Sequence, residues 1–141
     1  MFKTNALHFL FIVLLISSAS NANADTKIET PDITQAQLLS LKDAPQSPPF
    51  IVLDVRTEEE FIDGHIDQAL NISHNQLEQR LAELTAKIDK DQLIIVHCRS
   101  GKRAAKAEQI LRNNDFTQVR HLSGDMLKWQ ENQLPLTQGK K

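Results

Sequence analysis

The sequence predicts an α/β fold in which a central parallel β-sheet carries helices on both faces. Two short apolar runs, Phe50-Ile51-Val52-Leu53 and Leu93-Ile94-Ile95-Val96, lack the polar alternation of a half-exposed strand and suit strands buried on both faces. Stretches with helical spacing separate them, which implies crossover connections and parallel pairing. Each run ends in a polar turn leading toward a helical segment, the place where such sheets hold ligands.

The elements follow in chain order. Residues 1–24 combine Lys3, an apolar block over residues 9–16 and the small-residue ending Ala22-Asn23-Ala24, the pattern of a secretory signal with an A-x-A cleavage site. The apolar stretch over residues 6–16 is interrupted by His8 and falls well short of the roughly 20 residues that a membrane-crossing helix needs. Residues 1–24 are therefore expected to be a cleavable signal peptide. The mature chain, residues 25–141, is expected to be an exported, periplasmic protein with no membrane attachment. Its 117 residues suit one domain with one core.

Within that domain Ala36, Leu38, Leu39 and Leu41 suit a short helix, and prolines 45, 48 and 49 end it. The first strand comes next. Thr57 and Glu60 form a capping-box pair for a brief helix, Ala69-Leu70-Asn71-Ile72 suits another short strand, and Leu77, Leu81 and Leu84 give a helical stripe. After the second apolar run, Ala104, Ala105, Ala107, Ile110 and Leu111 space a longer helix. Val119-Arg120-His121-Leu122 suits a strand, and Trp129 sits on a last helix that Pro135 stops.

Removal of the signal leaves 15 basic against 18 acidic side chains, a net charge of −3, which argues against nucleic acid or an anionic membrane as a partner. Anion binding must then be local. The chain has one cysteine, Cys98. Oxidising compartments favour paired cysteines, so a lone thiol signals reactivity or intermolecular pairing, unless it is a small buried hydrophobe. Its neighbours decide in favour of chemistry. Cys98-Arg99-Ser100-Gly101-Lys102-Arg103 opens a strand-loop-helix turn whose main-chain amides converge on an anion. Gly101 allows a tight turn, and Arg99, Lys102 and Arg103 add positive charge, so a thiolate or persulfide would be favoured there.

This loop resembles the active-site loop of the rhodanese family, in particular its small single-domain bacterial members. Leu53-Asp54-Val55-Arg56, Glu60-Phe61, Gly64-His65-Ile66, Ala69-Leu70-Asn71-Ile72, Leu122-Ser123-Gly124, Trp129 and Leu134-Pro135 resemble the family's other signatures in their usual order, over about residues 33–136. The resemblance implies a sulfurtransferase in which Cys98 takes sulfane sulfur from a donor such as thiosulfate and passes it to cyanide or a thiol. The donor and acceptor would be small molecules, with a thiol protein as a further acceptor. It further implies that Arg99, Ser100, Gly101, Lys102 and Arg103 bind the substrate. Arg103 could instead turn inward to a carboxylate such as Asp54. Asp54 and Arg56 are expected to organise loops.

The chain departs from the family pattern where Asp67-Gln68 replaces the usual Pro-Gly, and where Ser123 and Gln133 stand at positions often taken by glycine. A related phosphatase family also uses a cysteine in an anion-cradling loop, but with five residues between cysteine and arginine, whereas Cys98 and Arg103 enclose four. The same residues would also suit a persulfide carrier or a non-catalytic binding module. His97 is expected to pack, since it points to the face opposite Cys98, and His65 to fix a turn. No spacing of histidine and cysteine suggests a metal site, and no cofactor is expected.

Overall fold

A computed structural model describes residues 31–140; the expected signal peptide lies outside the described residues. Helix α1 (Gln35–Asp43) precedes strand β1 (Phe50–Asp54), helix α2 (Glu58–Asp63) and the short strand β2 (Leu70–Asn71). Helix α3 (Leu81–Thr85), strand β3 (Leu93–His97), helix α4 (Lys102–Asn113), strand β4 (Gln118–His121) and helix α5 (Asp125–Glu131) complete the domain. Helices α1 and α2 both start with a capping box, Thr34 with Gln37 and Thr57 with Glu60, so orphan amides are satisfied reciprocally at each start. The Leu77, Leu81, Leu84 stripe is not one helix. Glu78–Arg80 form a 3₁₀ turn that runs into α3, a common way for a short helix to begin.

The four strands pair in parallel in the order β2-β1-β3-β4. Strand β3 is central, with Val96 opposite Leu53 of β1 and His121 of β4. Just past β4, Ile33 bridges to Leu122, which ties the start of the domain to the sheet. Alternate residues of each strand face opposite sides, and both sides are covered. Leu53, Ile94 and Val96 pack with Leu77, Leu84, Ala107 and Leu111 from the α3 and α4 side. Val52 and Ile95 pack with Leu38, Leu122, Met126 and Trp129 from the α1 and α5 side. This double coverage explains the unbroken apolar runs of β1 and β3.

Left-handed backbone governs several turns. Asp115, at φ 66, follows α4, with the Phe116 amide donating to Leu111 and the Asp115 amide to Arg112, a Schellman ending in which Asp stands in for glycine. Helix α5 ends the same way four residues before Pro135, with Gln133 at φ 53 and the Leu134 amide donating to Trp129. Gln68, at φ 63, is the third residue of a turn closed by the Ala69 amide on Ile66, where a Pro-Gly pair would fit without strain. The departures at Gln68 and Gln133 thus fall on left-handed positions. Ser123 does not; Asp125, at φ 51, does.

Ile95 is fully buried on the central strand. Ile95→Ala should lower stability by about 2–5 kcal/mol, measured by urea unfolding; a loss near zero would contradict the two-sided core.

Candidate active site

Strand β3 delivers Cys98 to the carboxyl edge of the sheet, and the chain turns there into α4. Cys98 is only 1% exposed and packs with Val96, Ala104 and Ala107. The two small alanines are fully buried, which lets α4 lie close to β3 and brings its first turn up to the sulfur. Gly101 caps that turn at φ 96, a conformation that side chains resist. Its amide donates to Cys98 Sγ at 3.1 Å. The leading amides of a helix have no acceptor one turn earlier, so the surroundings of Sγ favour negative charge.

Arg99, Ser100 and Lys102 are exposed on the rim of the loop. Arg103 turns inward, but not to Asp54: both its terminal nitrogens donate to Glu60 on α2, at 2.6 and 2.8 Å. Asp54 is unsuited to that role because Arg56 already occupies it. The Arg56 Nε donates to both Asp54 oxygens at 3.0 Å, its main-chain amide donates to Oδ1, and Nη2 reaches the Gly64 carbonyl at 2.9 Å. Asp54 and Arg56 are both buried and bind the end of β1 to the turn after α2. The Arg103 guanidinium also lies within electrostatic reach of the Cys98 sulfur, so the loop brings it near the thiol while Glu60 holds its direction.

His97 is fully buried, with Nε2 3.7 Å from Asp54 and Nδ1 near the Cys98 carbonyl. Burial pushes its pKa down, so it packs as a neutral ring. His65 stacks on Phe61 at 3.7 Å, and its Nδ1 lies 2.8 Å from the Phe61 carbonyl, which anchors the turn after α2. His74 lies after β2; burial, then the charges of Arg103 and Lys106, push its pKa below the usual value.

A second set of residues at the loop was not legible in the sequence. Asp125, the first residue of α5, accepts the Cys98 amide on Oδ1 at 2.8 Å. Its Oδ2 lies 2.9 Å from His121 Nε2, while His121 Nδ1 lies 2.8 Å from Glu108. Arg112 donates to the other oxygen of Glu108 at 3.0 Å. Hydrogen bonding to Asp125, and then to Glu108, raises the His121 pKa to about 10. The ring is therefore an imidazolium between two carboxylates at neutral pH. No local motif announces this row; the one available signal was a polar Asp beside Gly124 at a helix start.

Residues 34–132 match the family model described as the rhodanese-like domain. The chain belongs to that family. Its rhodanese-like sequence is 32% identical over 72 residues to thiosulfate sulfurtransferase PspE of Escherichia coli, covering 51% of this chain and 67% of that protein. It is 32% identical over 103 residues to a tRNA uridine(34) hydroxylase of Sodalis glossinidius, covering 69% of this chain and 28% of that protein. The aligned region spans between 28% and 59% of the length of three of the curated relatives it matches. Among solved structures, the human single-domain sulfurtransferase TSTD1 superposes with a TM-score of 0.63 at 30% identity, covering 72% of this chain and 96% of that one. The rhodanese-like fold, a four-stranded parallel sheet with helices in a single domain, is thus shared with sulfurtransferases.

The Arg103 hydrogen bonds outweigh burial and lower the Glu60 carboxyl from 4.5 to about 2. A carboxyl lowered on folding stabilises the chain above its unfolded value and loses that contribution as the pH falls through the folded one. Stability should therefore drop between pH 4.5 and about 2, and Glu60→Gln should flatten that drop in unfolding curves. Unchanged pH dependence in the variant would contradict the ion pair.

Proposed function

We propose that the chain is a sulfurtransferase that moves sulfane sulfur from thiosulfate to a thiophilic acceptor through a persulfide on Cys98. The Cys98 thiolate attacks the outer sulfur of thiosulfate; a new S–S bond forms, the old one breaks, and sulfite leaves with its electron pair. A cyanide ion or thiolate then attacks the outer sulfur of the persulfide, and Cys98 leaves as thiolate. Splitting the transfer in two makes each displacement easier. The observation that carries this reading is the Cys98 sulfur at the focus of a loop of six residues, with the Gly101 amide 3.1 Å away.

The surrounding residues divide the work. The main-chain amides of residues 99–103 hold the outer sulfur and its charge. Exposed Arg99 and Lys102 draw in the anionic donor and assist the departing sulfite, with Ser100 beside them on the rim. Arg103 keeps its charge near the sulfur while tethered to Glu60, and Asp54 with Arg56 holds the neighbouring turn. The loop is one residue shorter than the phosphatase pattern, which favours one bound sulfur over a tetrahedral phosphate. The name of the Escherichia coli relative supports thiosulfate as donor. Residues 1–24 are proposed as an export signal, placing the mature protein in the periplasm with a small thiol or a thiol protein as acceptor.

Intact mass of the mature protein tests the reading. Thiosulfate should add one sulfur atom to the wild type, cyanide should remove it, and Cys98→Ser should gain none. A folded wild type that gains no sulfur would refute the reaction, and a mass beginning elsewhere than Asp25 would refute cleavage after Ala24. A second expectation concerns charge. Arg99→Ala combined with Lys102→Ala should reduce kcat/KM for thiosulfate about tenfold or more, and increasingly so at low salt. Equal losses with an uncharged donor would remove the electrostatic role.

A further inference from the structure

Three consecutive residues in the first turn of α5 grip the main chain of the cysteine loop at Cys98 and Arg99. Asp125 accepts the Cys98 amide at 2.8 Å. The Met126 amide donates to the Cys98 carbonyl at 3.1 Å, and the Leu127 amide donates to the Arg99 carbonyl at 3.0 Å. The last two contacts use main chain and survive any side-chain change. The first depends on Asp125 alone.

The backbone by itself gives no reason for Asp at this corner. Asp125 sits at φ 51, where glycine would make the same turn without strain. Its side chain is only 4% exposed, and a buried carboxylate is costly unless it is paired. The chain meets that cost with His121, Glu108 and Arg112. Strained, buried and compensated residues cluster where geometry serves function. The row also crowds the loop from beneath: a Cβ on Gly101 would meet Asp125 Oδ2 at 3.2 Å and the His121 ring at 3.6 Å.

We propose that Asp125 is a positioning residue for sulfur transfer, locking the Cys98 main chain through its amide so that Sγ stays aimed at the Gly101 N–H, while His121 and Glu108 hold the carboxylate in place. The proposal rests on the sulfur-transfer reading above. Asp125 does not touch the donor; it acts through Cys98. Without this bond the His97–Cys98 peptide is held only through the His97 carbonyl, which accepts the Val55 amide at 3.0 Å, and small misplacements of a nucleophile reduce the rate steeply. The donor-binding cations stay where they were.

The test compares Asp125→Gly and Asp125→Asn in the full chain. Glycine removes the acceptor and relieves the backbone, whereas the asparagine oxygen can still accept the Cys98 amide. Asp125→Gly should fold with a lowered Tm, since His121 and the Cys98 amide lose a buried partner, lose about 10- to 100-fold in kcat and keep KM for thiosulfate within about threefold. Asp125→Asn should stay within about threefold of the wild-type kcat. An unchanged kcat in the glycine variant, or an equal loss in both variants, would overturn the proposal. Should the wild type itself acquire no sulfur, the sulfur-transfer reading fails separately, and alkylation of Cys98 by iodoacetamide decides the positioning role. A several-fold faster reaction in Asp125→Gly than in Asp125→Asn would support it, and equal rates would overturn it.

Discussion

Strand β3 is hydrogen-bonded along both edges and covered on both faces, so the point at which the chain leaves it has little freedom. Parallel register with β1 and β4 sets the height of Val96 and His97, and the next residue is Cys98. The chain turns into α4 at once because Gly101 accepts a left-handed conformation and because Ala104 and Ala107 let the helix lie close. The amide that meets the sulfur is therefore a product of sheet register and small-residue packing together. The same edge collects the end of β1 and the start of α5, which is why residues distant in sequence meet at one thiol.

Charge around that thiol is sorted by depth. Asp54 with Arg56, and Asp125 with His121 and Glu108, are buried or half-buried and satisfied within the protein. Such groups lend geometry rather than attraction, since a paired charge in low dielectric is held in place by its partner. Arg103 stands between the two regimes, tethered to Glu60 yet close to the sulfur. Arg99 and Lys102 lie outermost, in the position to act on a donor arriving from solvent. Under the proposed sulfur transfer, the loop separates the groups that fix Cys98 from those that would attract an anionic donor.

Backbone strain at the turns divides in the same way. Gln68 and Gln133 adopt left-handed conformations on the surface, where a long polar side chain can point into water. Asp115 ends α4 in a conformation that short polar residues tolerate. Asp125 differs, because its strained backbone is what turns a carboxylate inward onto the Cys98 amide.

Much of the architecture was legible in the residues. Unbroken apolar runs marked β1 and β3, the Thr57 and Glu60 pair marked the start of α2, and the lone cysteine in a cation-rich turn with one glycine marked the candidate site. These signals are local: they depend on periodicity, capping chemistry and the composition of a few adjacent residues. Other features required the fold. The partner of Arg103 is Glu60 rather than Asp54 because Glu60 on α2 lies within reach of the first turn of α4 and Arg56 saturates Asp54 from two residues away. The Asp125, His121 and Glu108 row joins α5, β4 and α4, and its members carry no spacing that distinguishes them from solvated surface charge. The sequence by itself determined the fold class and singled out Cys98 with its cation-bearing loop. Tertiary structure alone decided which charges hold that loop, because long-range ion pairs follow from the packing of helices on a sheet and leave no periodic trace along the chain.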